Sequence, residues 1–125
     1  MIKVAVIDDQ ALVRVGLRTL LGAEEDLSLV GEAADGRQGL SMVRRTSPDV
    51  VLCDIRMPVL DGLGLLRAVR SADATRNIGF IMLTSRGETE LVQQAVKLGV
   101  NNYLMKPFAL GALKKKIESV FGPLT

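Results

Sequence analysis

The chain has 125 residues, 48% of them apolar and 24% charged, with a formal net charge of +2. That length suits one domain with its own core, while a near-neutral balance with three Phe, one Tyr and no Trp argues against a nucleic-acid surface of stacking aromatics. Histidine is absent and Cys53 is the single cysteine, which excludes zinc centres, histidine catalysis and an internal disulfide.

Apolar runs alternate with segments of helical period from the first residues onward. "KVAVI" (3–7) predicts a strand, and 11–21 a helix with Val13, Leu17, Leu20 and Leu21 on one face and Gly22 as its C′ residue. "SLVGEA" (28–33) predicts the second strand, and 36–45 a helix carrying Leu40 and Val43. "VVLC" (50–53) predicts a strand buried on both faces. Pro58 and Asp61-Gly62 then turn the chain into a helix at 62–70, with Leu65, Leu66 and Val69 inward. "GFIML" (79–83) leads to a helix at 88–98 followed by Gly99, and "NYLM" (102–105) to a last helix at 109–121 with Leu110, Leu113, Ile117, Val120 and Phe121 at helical spacing. Lys114, Lys115 and Lys116 are expected on its solvent side.

Strict alternation of strand and helix implies an α/β fold, with a parallel sheet covered by helices on both faces. No apolar run approaches the roughly 18 residues of a membrane span, and Asp8-Asp9 interrupt the N-terminal run too early for a secretion signal. A cytoplasmic location without membrane contact is expected.

In such sheets ligands sit beyond the carboxyl ends of the strands, and here those ends are polar. The first strand stops at Asp8-Asp9, the third at Asp54, the fourth at Thr84-Ser85, and the fifth runs into Lys106-Pro107. Three carboxylates at one edge repel one another by about 4 kcal/mol for a pair at ~4 Å and an effective dielectric of 20. A hard divalent cation relieves that repulsion; oxygen-only ligands favour magnesium, manganese or calcium, and a site of few protein ligands that keeps waters and takes phosphate oxygens suits Mg²⁺, or Mn²⁺ in its place. A carboxylate beside a cation and a lysine has the chemistry of a phosphoryl acceptor, and Asp54, on the central strand, is the nucleophile of choice. An acid would cap the first helix well, so either Asp8 or Asp9 is also expected there as a cap. Cys53 reads as core filler.

The acidic pair, "DIRMPVLDG" (54–62), Thr84 and "YLMKPF" (103–108) together resemble a bacterial response-regulator receiver domain from end to end, and the chemotaxis-type single-domain regulators most. That resemblance implies a single (βα)5 doubly wound domain over residues 1–125, of the flavodoxin-like kind with strand order 2-1-3-4-5, and no output domain. It implies that Asp54 takes a phosphoryl group from a sensor histidine kinase or phosphotransfer protein. Asp9, Asp54 and the backbone carbonyl of Arg56 would bind Mg²⁺ directly, with Asp8 acting through water. Lys106, before a cis Pro107, would pair with the phosphoryl group. Thr84 and the Ser85 amide would move toward that group, and Tyr103 would turn inward, changing a docking face on the fourth helix, fifth strand and fifth helix. Arg56 and Arg86 stand where the family tunes phosphoryl lifetime. Gln10 replaces a third acid.

The resemblance describes a switch and not an enzyme, monomeric or weakly dimeric when phosphorylated. An aspartate-nucleophile phosphatase would carry an acid where Arg56 stands, and a flavin carrier would need a phosphate-binding loop where "DDQALVR" (8–14) stands. The alternatives are a receiver cut from a longer transcriptional regulator and a binding module that works without phosphorylation.

Overall fold

The computed structural model describes residues 1–57 and 59–121. Pro58, expected in the turn after the third strand, lies outside the described residues. The elements are β1 (Ile2–Ile7), α1 (Ala11–Gly22), β2 (Leu27–Ala33), α2 (Gly36–Thr46), β3 (Val50–Asp54), α3 (Gly62–Ser71), β4 (Gly79–Thr84), α4 (Thr89–Lys97), β5 (Asn102–Met105) and α5 (Leu110–Phe121). Every strand pairing is parallel, and the sheet order is β2-β1-β3-β4-β5. This is the doubly wound, flavodoxin-like order that the resemblance implies.

The central strands lack polar alternation because both of their faces are covered. Ala5, Ile7, Val51, Cys53, Phe80 and Met82 pack with Met42, Val43, Leu66, Val69 and Ala95 of α2, α3 and α4. Their neighbours Val4, Val6, Val50, Leu52, Ile81 and Leu83 pack with Leu17, Leu21, Leu113 and Ile117 of α1 and α5. Successive strand residues point to opposite faces, so each apolar run feeds two cores at once.

Several boundaries differ from the sequence expectation, each for a local reason. β3 and β4 run one residue further, because Asp54 pairs with Leu83 and Thr84 with Met105 in the ladder. Helix α4 starts after Glu88, whose φ of −102° and ψ of 23° are not helical. Gly22 is not a C′ residue but the last residue of α1, and Ala23 closes that helix in ordinary right-handed backbone. Gly99, by contrast, does take the left-handed conformation, φ 91°, just after α4.

The helix-cap expectation also needs correction. Gln10 is the N-cap of α1 and makes no side-chain cap bond, so neither Asp8 nor Asp9 caps it. Capping aspartates occur elsewhere: Asp35 accepts from Gln38 N–H at α2 and Asp61 from Gly64 N–H at α3. Nor do the three lysines of α5 simply coat a solvent face. Lys114 pairs with Glu24 at 3.2 Å, and Lys116 lies 5.4 Å from the Tyr103 ring centroid.

Two glycines give opposite predictions. A Cβ on Gly62 would meet the Asp54 carbonyl oxygen at 2.6 Å and the Ile55 Cα at 2.8 Å, whereas one on Gly16 would meet nothing within 4 Å. Gly62→Ala is therefore expected to cost about 1–3 kcal/mol by forcing α3 away from the end of β3. Gly16→Ala, inside an exposed part of α1, should stabilise by ~0.5–1 kcal/mol. Urea unfolding of the two variants checks both signs.

Candidate functional site

The sheet order brings β1 and β3 side by side at its centre, with β4 and β5 following. Asp8, Asp9, Asp54, Thr84 and Lys106 thus stand at or just past the ends of four adjacent strands. A carboxylate oxygen of each of Asp8, Asp9 and Asp54 lies within 4.8 Å of the others. Asp8 is fully buried and Asp54 is 8% exposed, whereas Asp9 faces solvent.

Lys106 Nζ lies 2.7 Å from Asp8 Oδ2 and 3.6 Å from Asp54 Oδ2. Its own N–H donates to the Thr84 carbonyl at 2.7 Å, and the Lys106–Pro107 peptide is cis, as the resemblance implies. The β1–α1 loop is pinned from both sides: Gln10 N–H donates to Asp8 Oδ1 at 2.9 Å, and Arg14 Nη1 to the Asp8 carbonyl at 2.7 Å. Asp8 is thereby fixed between a backbone donor and an ammonium.

Asp54 is the electrostatic focus. Burial, reinforced by the Asp8 carboxylate, pushes its carboxyl up to about 6, with Lys106 and the Arg56 N–H pulling the other way. That N–H lies 3.4 Å from Asp54 Oδ1. Cys53 is fully buried, and its thiol donates to the Asp54 carbonyl at 3.3 Å. Burial, with Asp54 and Asp8 nearby, pushes that thiol well above its ordinary range, so it stays protonated and packs as core.

Other sequence candidates lie further out. Thr84 is buried at the end of β4, while Ser85 and Arg86 are exposed beyond it. Tyr103 is 43% exposed and points outward from the edge strand β5. Between them is a groove of about 270 Å³, lined by Thr84, Ser85, Glu88, Val92, Tyr103 and Met105 among others. The Arg56 side chain engages Glu88, its Nε 2.9 Å from Glu88 Oε2, and the residue lines an open cleft with Asp9, Met57 and Asp61.

Glu88 is the residue that sequence reasoning missed. Its carboxylate is 8% exposed, accepts the Ser85 N–H and pairs with Arg56. The sequence places it only as the first residue of the helix expected at 88–98. The one available signal was Gly87, whose left-handed φ of 86° turns the chain back on itself.

Comparison with known proteins agrees with this geometry. Residues 4–118 match the response regulator receiver domain family. The chain is 41% identical to the "Probable chemotaxis protein CheY" of Rhizobium etli, covering 98% of this chain and 95% of that one. It is 34% identical to a protein-glutamate methylesterase/protein-glutamine glutaminase of Methanospirillum hungatei, covering 96% of this chain but 37% of that protein. Among solved structures, the REC domain of AraT, a response regulator from Geobacillus stearothermophilus, superposes with a TM-score of 0.86 at 33% identity, covering 95% of this chain and 92% of that one. The response regulator domain of Thermotoga maritima CheB gives 0.84 at 25% identity, covering 97% of each chain. A match running from β1 into α5, with a relative of nearly equal length, means that this chain belongs to the response regulator receiver domain family.

Proposed function

We propose that this receiver is a phosphorylation-dependent switch in which Asp54 accepts the phosphoryl group of a partner's phosphohistidine. The chain has no histidine of its own, so the donor is a sensor kinase, a phosphotransfer protein or a small acyl phosphate. The observation that supports the reading most is the placement of Lys106 Nζ between Asp8 and Asp54, at 2.7 and 3.6 Å. An ammonium there holds one carboxylate oxygen of Asp54 and is ready for a phosphoryl oxygen.

In the transfer, an Asp54 carboxylate oxygen forms the new bond to phosphorus as the P–N bond of the donor breaks, and the departing imidazole takes up a proton. Lys106 and the Thr84 hydroxyl neutralise and position the equatorial oxygens, which is most of what phosphoryl transfer requires. Hydrolysis returns the carboxylate when water attacks the same phosphorus.

The donor set fits a magnesium or manganese ion: three carboxylates within 4.8 Å, oxygen atoms only, and the Asp54 carboxyl pushed upward by burial and then by its acidic neighbour Asp8. Asp9, Asp54 and the Arg56 carbonyl would hold it, with Asp8 acting through water. Bound there, the ion supplies charge neutralisation to the carboxylates and the incoming phosphate.

The signal then passes to α4, β5 and α5. A phosphoryl group brings about 1.5 to 2 negative charges and three acceptor oxygens; these draw in Thr84 and the Ser85 amide and let Tyr103 turn toward the groove beside them. A target protein reads that face. Addition of Mg²⁺ and beryllofluoride, a phosphoryl mimic, should shift amide resonances around Asp54, Thr84 and Lys106; no shifts at those positions would refute the switch.

Arg56 and Arg86, two residues past Asp54 and Thr84 respectively, are proposed to shield the phosphoryl group from water, Arg56 once the phosphoryl group draws it from Glu88. The double replacement by Ala is expected to speed autodephosphorylation several-fold. An unchanged or slower rate, measured by phosphate release, contradicts this role.

A further inference from the structure

We infer that Glu88 is a resident anion that holds the phosphoryl-binding groups in the resting state, so that phosphorylation works by displacing it. The inference rests on the reading of Asp54 as phosphoacceptor and of the Ser85 amide as a phosphoryl ligand.

Two groups next to Asp54 suit an incoming anion, and Glu88 engages both. Asp54 pairs with Leu83 in the sheet, so Ser85 stands two residues beyond that partner on the adjoining strand end. The Ser85 N–H donates to Glu88 Oε1. Arg56, two residues past Asp54, places its Nε 2.9 Å from Glu88 Oε2. One carboxylate thus bridges the β3–α3 and β4–α4 loops, and it is 8% exposed while the Arg56 side chain is 70% exposed.

Gly87 makes the bridge possible. Its φ of 86° returns the chain sharply after Arg86, and no atom lies within 4 Å of where its Cβ would be. The turn thus brings Glu88 back over Ser85, immediately before α4 begins at Thr89.

A phosphoryl group on Asp54 presents the same kind of acceptor oxygens with more charge. It competes with Glu88 for the Ser85 amide and Arg56, and repels the carboxylate as it does so. Glu88 immediately precedes α4 and makes no side-chain cap bond to it; its carboxylate instead ties the start of that helix to the Ser85 amide and Arg56, and its release unties the start of the helix that borders the Tyr103 groove. The bridge therefore sets both the threshold for activation and the element that moves.

The test compares wild type, Glu88→Ala and Glu88→Gln by amide NMR during titration with beryllofluoride at fixed Mg²⁺. Removing one charge-assisted competitor is expected to lower the half-saturating concentration about 10-fold in Glu88→Ala, with Glu88→Gln in between. The Ser85 amide resonance should differ between resting wild type and Glu88→Ala and converge once both are saturated. Equal or weaker binding by both variants, when wild type responds, overturns the displacement role alone. Failure of all three proteins to respond overturns the phosphoacceptor reading and the inference with it.

Discussion

Replacing Asp54 with asparagine is expected to abolish phosphoryl uptake and, in metal-free buffer at neutral pH, to make the protein more stable. The first effect follows from the loss of the nucleophilic anion; the amide keeps the shape but cannot form the acyl phosphate. The second follows from the environment of the carboxyl. Burial and Asp8 push it up to about 6 in the folded protein, whereas an unfolded aspartate titrates near 3.9.

For an acid, a raised folded pKa means that the native state holds the proton more tightly than the unfolded chain does. The ionised group therefore weakens the fold above about pH 6, less so as pH falls toward about 4, and not at all below that. Asp54→Asn should gain on the order of 2 kcal/mol over wild type near pH 7.5, with the difference vanishing near pH 4. Urea unfolding at the two pH values, with chelator present, measures this. A constant difference across pH, or a loss of stability near pH 7.5, contradicts the electrostatic description.

Lys106→Met should have the opposite effect on stability. Asp8 is fully buried and Lys106 Nζ lies 2.7 Å from it, with the lysine side chain 14% exposed. Methionine keeps much of the aliphatic stem but leaves a buried carboxylate without its cation. Removing one partner of such a pair costs about 3–5 kcal/mol, most of it the uncompensated charge. Beryllofluoride binding should also fall by more than about tenfold, since a charge-assisted contact to the phosphoryl oxygens is lost. The double variant Asp8→Asn, Lys106→Met removes both charges and should recover much of the stability, a coupling in the range of about 0.5–3 kcal/mol in a double-mutant cycle. Equal stability of Lys106→Met and wild type would mean that the ammonium does not compensate Asp8.

The sequence was informative wherever a residue type had one physical use. Unbroken apolar runs such as "VVLC" announced strands covered on both faces, and the structure covers them with two separate cores. Acids and a lysine at strand ends announced an electrostatic centre, and the parallel sheet brings Asp8, Asp9, Asp54 and Lys106 together. Residues with several uses were harder to place. Gly22 could close a helix or end it, and Ala23 closes it instead. An acid before a helix could be a cap; Asp8 instead accepts from Gln10 and pairs with Lys106.

Glu88 was illegible for a deeper reason. Its partners, Ser85 and Arg56, reach it from two loops, one of them 32 positions away along the chain. No local pattern encodes a contact of that kind. Arg56 likewise read as a cation facing the anionic site, yet its guanidinium is engaged with Glu88.

The most direct measurement is chemical trapping of the acyl phosphate. The intact protein would be incubated with acetyl phosphate and Mg²⁺, reduced with borohydride, which converts an aspartyl phosphate to homoserine, and mapped by peptide mass spectrometry. The expected result is homoserine at position 54 alone, dependent on Mg²⁺ and absent from Asp54→Asn. Trapping at Asp8 or Asp9, or no trapping in wild type, would contradict the assignment of Asp54 as the phosphoryl acceptor.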